Sequence, residues 1–174
     1  TVAALLHDTD RVIDLPAENY QGGPESPLVL NSGGPDGFGY YWIDSDSFFG
    51  PVYDWIEIRG VGTPHSLPSN GNIAVALPFP FSFYGVDHTS VNICTNGWLS
   101  FGSTSNNSFN DPIPYPSQPN NLIAVFWDDL AATGISRVFT YDDFANNRFI
   151  VQWSDFAHQG SNNPLDFQVI LNTD

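Results

Sequence analysis

Apolar residues in this chain fall at alternating positions within short runs, and Gly, Asn, Asp and Pro break those runs apart. In Pro78-Phe79-Pro80-Phe81-Ser82-Phe83-Tyr84-Gly85 the period of two puts three phenylalanine rings on one face of a strand. Prolines cannot donate to a ladder, so the pattern predicts that this strand runs at an edge or turns a corner. Two later runs repeat the alternation, with Phe149, Val151 and Trp153 on one face of the first and Phe167, Val169 and Leu171 on one face of the second. Between Val91 and Phe101 an Asn96-Gly97 pair separates two apolar stretches and predicts a hairpin. Leu122 to Trp127 is apolar at every position, which predicts a central strand ending at Asp128-Asp129. Ile73 to Leu77, Arg137 to Tyr141, Tyr40 to Ile43 and Trp55 to Ile58 read as further strands, and Asn146-Asn147 as a turn.

Few stretches carry the i, i+3, i+4 apolar spacing of a helix, and 14 prolines and 15 glycines punctuate the rest. The expected fold class is therefore all-β, an antiparallel β-sandwich of jelly-roll-like form with long loops. Residues 1–32 read as an N-terminal lead-in or linker, and residues 33–174 as the sandwich domain. The last strand has an apolar face and is followed at once by Asp174, so one or more C-terminal strands are expected to be lacking or to be donated from elsewhere.

Charge narrows the partners. The 174 residues carry 19 acidic and four basic side chains, all four of them arginine, for a formal net charge of −15. Without a basic stripe there is no surface to neutralise phosphates, and an anionic membrane repels the chain, so no nucleic acid is expected as partner. No apolar run approaches the roughly 20 residues of a spanning helix, and membrane insertion is not expected either. The excess of Asp over Glu suits a chain rich in turns, and it suits calcium or a saline habitat about equally. Cys94 is the single cysteine and cannot form an internal disulfide. It reads as a small buried residue; as a nucleophile it would need His7, His65, His88 or His158 as base, and none lies in a family signature.

Five motifs in order carry a resemblance: Leu77 to Gly85, Thr95-Asn-Gly-Trp-Leu-Ser-Phe-Gly102, Ile123-Ala-Val-Phe-Trp-Asp-Asp-Leu130, Arg148-Phe-Ile-Val-Gln-Trp153 and Phe167-Gln-Val-Ile-Leu171. Together they resemble a β-sandwich accessory domain of secreted bacterial proteins, often found next to peptidases. The likeness is more distant to the nidogen-type and plexin-domain-containing extracellular domains. It spans roughly residues 33 to 171, with Gly34-Pro-Asp-Gly-Phe-Gly39 and Gly50-Pro-Val-Tyr-Asp-Trp-Ile56 similar to the bacterial version. The resemblance implies a secreted or cell-surface location and no established catalytic residue.

Candidate chemistry lies in the loops. Asp44 and Asp46 place alternate carboxylates on one side of a loop, and Asp36 sits in a Gly-rich turn upstream, so these three are the candidate calcium ligands. The spacing lacks the full EF-hand pattern. Loop aromatics Tyr20, Phe48, Phe49, Phe109 and Tyr115 are the candidate ligand platform, since the strand aromatics are explained by packing. Ser103 to Asn121 forms a long polar, proline-rich loop that suits either a recognition surface or a stiff cover over a sheet edge. No Gly-x-Ser-x-Gly elbow and no HExxH is present, and no catalytic residue is assigned. The leading expectation is a non-catalytic extracellular binding or spacer module, with an extracellular protein, a glycan or further copies of the chain as partner. A filament subunit assembled by strand donation is the alternative, and a carbohydrate-active enzyme domain is the third reading.

Overall fold

The strands form where the alternation is longest. A computed structural model describes residues 32–45, 47 and 50–173, with the backbone of Val2–His7. Among these residues the strands are β1 (Val2–His7), β2 (Ser32–Gly33), β3 (Trp42–Ile43), β4 (Thr63–His65), β5 (Asn72–Phe83), β6 (Val86–Cys94), β7 (Trp98–Ser100), β8 (Leu122–Ala124), β9 (Leu130–Asp143), β10 (Arg148–His158) and β11 (Leu165–Asn172). One turn of 3-10 helix, Phe144–Asn146, joins β9 to β10. The chain divides into two compact units, Thr1–Asp8 with Trp55–Asp174, and Thr9–Asp54. Within the second, β2 and β3 form a two-stranded antiparallel ribbon.

The larger unit is an antiparallel β-sandwich. One sheet runs β1-β11-β10-β9-β4 and the other β5-β6-β7-β8. Phe149, Val151 and Trp153 face Phe167, Val169 and Leu171 across the β10–β11 register, as the alternation predicts. Opposite them the second sheet supplies Leu77, Phe81, Val91, Ile93, Leu99 and Phe101, and all twelve belong to one buried cluster. Burying each such side chain contributes roughly 1.5–3 kcal/mol. Trp153 stacks on Phe167 at a centroid distance of 4.8 Å. Its indole N–H donates to the Cys94 carbonyl on the facing sheet at 2.9 Å, so the ring is buried without leaving its one polar atom unpaired.

The proline-bearing strand β5 lies at an edge, and its pairing with β6 shifts register between Ala76 and Phe81, where Pro78 and Pro80 withhold their donors. The Asn146-Asn147 turn is also present, with Asn147 in the left-handed region at φ 52°. Asp143 locks that turn by accepting from Asn146 Nδ2 and from Arg148 Nε at 2.6 Å.

Four expectations change. Residues 1–32 are not wholly a lead-in, because Val2–His7 is a sandwich strand, paired with β11 from Val2 opposite Leu171 to His7 opposite Asp166. The open edge expected beside the 167–171 strand is accordingly filled, and β11 lies between β10 and β1. Leu122 to Trp127 is not a central strand: only Leu122–Ala124 pairs, and β8 closes the order of its sheet. Its apolar residues reach the core from beside the turn of the hairpin. Finally, Trp55 to Ile58 makes no ladder and crosses the outer face of the five-stranded sheet instead.

The reason for this last difference lies in two glutamines. Gln152 and Gln168 stand opposite each other on β10 and β11, fully buried, on the face turned away from the main core. Gln152 Oε1 accepts from the Ile58 N–H at 3.2 Å. Gln168 accepts from the Ile56 N–H at 3.1 Å and donates to the Ile56 carbonyl at 2.8 Å. The two amides also bond each other at 3.3 Å, and Gln152 Nε2 reaches Glu57 and Ser154. Side-chain amides thus take the place of a neighbouring strand, and the strap they hold buries Ile58 against Ile150 and Ile170.

Replacing Gln152 by Ala strands the Ile58 N–H and removes its partners in the network. The expected loss is about 2–4 kcal/mol in urea unfolding, with faster amide exchange at Ile58. A variant within about 0.5 kcal/mol of the parent would show that the strap is held by its apolar contacts alone.

Candidate functional site

The turn between β6 and β7, Thr95-Asn96-Gly97, organises one end of the sandwich. Cys94 pairs with Trp98 across it. Gly97 has φ 78°, and a Cβ there would lie 1.9 Å from the Phe126 carbonyl oxygen, so no other residue fits. Its own carbonyl accepts from the Val125 and Phe126 N–H groups. Asn96 is fully buried. Its Oδ1 accepts from the Leu130 N–H at 3.2 Å, while Nδ2 donates to Asn70 Oδ1 at 2.8 Å and to the Asn106 carbonyl at 3.3 Å. One amide therefore fixes the start of β9, the turn before β5 and the long loop 103–121.

That loop is held at residues 103–111 and again at 117–121. Ser100 Oγ accepts from the Ser103 N–H and donates to the Asn120 carbonyl, both at 2.9 Å. Ser103, Ser105 and Asn107 each accept with the side chain from the backbone N–H two residues on. The Asn107 carbonyl takes the indole N–H of Trp98 and of Trp127, each at 3.2 Å. Asn72 Nδ2 bonds the Thr104 carbonyl and Asn106 Oδ1. The four prolines of the loop lie between these anchored parts, from Pro112 to Pro119, where they remove backbone donors.

Between this loop and the β5–β6 hairpin runs an open groove of about 400 Å³. Tyr84, Tyr115 and Trp127 supply its aromatic surface, Ile113 an apolar wall, and Gln118 and Asn120 its amides. Among the described residues Asp111 is its only charged lining residue, held by Asn107 Nδ2 at 3.2 Å. The volume lies within the range of small-ligand sites, about 300–1,000 Å³. Tyr84 occupies the first position of a two-residue turn, Tyr84-Gly85, between the paired Phe83 and Val86. Both turn residues have positive φ, 49° and 76°.

Of the sequence-based candidates, the structure brings Tyr115 into the groove and leaves Phe109, 77% exposed, on the same loop but off its lining. Phe48, Phe49 and Tyr20 lie outside the described residues. The residues that sequence reasoning missed are Tyr84 and Trp127. Gly85 directly after a strand pattern is a turn signal, which would have placed Tyr84 at a hairpin tip. Asp36 Oδ1 accepts from the N–H groups of Phe38, Gly39 and Tyr40 at 2.8–2.9 Å, and Asp44 Oδ1 from the Ser47 N–H and Oγ. These oxygens serve as turn acceptors. Asp46 lies outside the described residues, and among those described no three His, Cys, Asp or Glu side chains gather into a metal-holding group.

Cys94 has no access to solvent, and burial pushes its thiol up to about 11. The described histidines are occupied elsewhere: His65 pairs with Thr140, His88 stacks on Phe101, and His158 pairs with Asp128 at 3.0 Å. No thiolate–imidazole pair forms among them. A thiol whose folded value is raised binds its proton more tightly folded than unfolded, so stability is full below about pH 9 and falls as pH rises towards about 11. Urea unfolding across that window should show a steeper decline in the parent than in Cys94→Ala; parallel curves would contradict it.

No curated protein and no solved structure matches the chain significantly. The described helices include none long and apolar enough to cross a membrane. A family model described as NIDO related matches residues 53–173, which span the strap and every strand from β4 to β11. The match covers well over half of the sequence and includes the whole groove, and on that ground the chain belongs to the NIDO-related family of extracellular-type domains.

Proposed function

We propose that this domain is a non-catalytic binding module of a larger secreted or surface-exposed protein, of the bacterial accessory type, and that its ligand sits in the groove beside loop 103–121. The observation that carries the reading is the fixing of that loop. A spacer needs no more than a soluble surface, whereas here side chains from Asn72, Asn96, Trp98, Ser100 and Trp127 anchor the loop on both sides of its proline-rich stretch, at residues 104–107 and at Asn120. A surface held in place before binding loses little entropy on binding, which favours affinity. Glycoside hydrolysis uses two carboxyl groups roughly 5 to 10 Å apart, and among the described residues the groove is lined by one, Asp111.

Binding of the labelled chain to mixed arrays of extracellular glycans, peptides and proteins tests this. The parent should bind at least one class, and the double variant Ile113→Ala/Tyr115→Ala should lose at least about tenfold in affinity with its unfolding free energy within about 0.5 kcal/mol of the parent. A flat array would favour a spacer. Calcium is a separate proposal for Asp36, Asp44 and Asp46. It predicts a melting temperature higher in calcium than in chelator, and equal values would remove it.

A further inference from the structure

We infer that the groove takes a neutral polysaccharide chain, an inference that rests on the binding-module reading and adds the class of ligand. Three properties of the lining point there. First, the aromatic surface is exposed where it stands: Tyr84 is 47% and Tyr115 42% open to solvent. A sugar ring has an apolar face of C–H groups that lies flat on such a ring, and hydroxyl groups around its rim. Second, the polar lining is made of groups that both donate and accept, Ser117, Gln118, Asn120 and Asn121. Hydroxyls do the same, so each sugar hydroxyl finds a partner whichever way its proton turns. Third, the one charged residue among the described lining is a carboxylate, in a chain of net charge −15. Acidic sugars and phosphates are repelled, and an uncharged chain is not.

Peptides fit the same surface less well. A peptide adding as a strand needs a row of free backbone donors and acceptors, but Pro112, Pro114 and Pro119 have no N–H, and the adjoining edge strand β8 is three residues long. The Trp127 N–H, one of the donors a proline-rich peptide would use on an aromatic groove, is already given to the Asn107 carbonyl.

The backbone at Tyr84 adds an independent argument. A two-residue turn with positive φ at both positions is served best by Asn-Gly, and an aromatic residue there is strained. Strain of this kind persists only where the surroundings hold it, here with the Tyr84 ring edge-on to Phe83 at 4.8 Å, and it clusters at ligand clamps. Here the strained residue is the one that carries its ring to the groove rim.

Tyr84→Asn should therefore raise the urea midpoint of the protein and weaken ligand binding together, a pairing that a purely structural tyrosine would not give. The test is calorimetric titration of the whole chain with soluble neutral polysaccharides (a β-glucan, a xylan and a galactomannan), with alginate as anionic polymer, and with arginine-rich and proline-rich peptides. The expected result is binding of at least one neutral polymer, weakened about tenfold or more in Tyr84→Asn and in Tyr115→Ala. That affinity should change less than about twofold between 0.05 and 0.5 M salt, where a charged partner would be strongly screened. If a peptide or alginate binds in a Tyr115-dependent way and no neutral polymer does, the polysaccharide inference is overturned and the binding module stands. If nothing binds, or if both groove variants bind like the parent, both readings fall.

Discussion

Asn96 is the residue on which the loop end of the sandwich depends. Its amide is sealed from water, and a sealed amide without partners would cost on the order of 1–3 kcal/mol for each unmet group. Here both ends are met, and each partner comes from a different part of the chain: Asn70 before β5, Asn106 in the long loop, and Leu130 at the start of β9. Because the turn must be tight enough to aim that amide inward, Gly97 follows it, and the glycine's carbonyl gathers in the segment after β8. The groove is downstream of all this. The Trp127 indole on its lining is bonded to the Asn107 carbonyl, next to the Asn106 carbonyl that the turn itself holds, and Asn107 reaches Asp111 at the start of the wall.

The five-stranded sheet poses a second problem, since a sheet has two faces and a sandwich covers one. Its outer face carries Ile150, Ile170 and the Gln152–Gln168 pair, none of which is left to water. A further sheet is not needed, because two amides whose donors and acceptors lie side by side copy the hydrogen-bonding edge of a strand. The Arg59 ion pair with Asp166 closes the strap beyond them, with Arg59 Nε on Ser154 Oγ. The result is a domain with a dry core on one side and a hydrogen-bonded cover on the other.

How much of this was readable in advance follows from the range of the interactions. Strands β5, β6, β10 and β11 were legible because their alternation is local, and the Gly97 turn because its backbone requirement is local too. Gln152 and Gln168 were not, since a polar residue between apolar ones reads as solvent-facing unless something covers it, and the cover comes from about a hundred residues away. For the same reason Trp55 to Ile58 passed for a strand: its residues suit an extended backbone, and only its partners distinguish strap from ladder. Leu122 to Trp127 passed for a central strand because apolarity on both faces marks burial, not the number of neighbouring strands. In the groove, Tyr115 was legible as a loop aromatic, whereas Tyr84 and Trp127 were assigned to strands by their apolar neighbours.

The pairing of β1 with β11 has a consequence for how the molecule is made. Val2 lies opposite Leu171, so almost the whole described chain separates the two partners, and among the described strands β1 pairs with β11 alone. Closing so long a loop costs only slightly more entropy than closing one half as long, but such contacts come late and slow folding. On a ribosome the first of these strands emerges early and has nothing to pair with until the last one follows. Over that interval its backbone donors and acceptors stay open to water, to chaperones or to other unfinished chains, so contact order makes the first-made strand the last-placed.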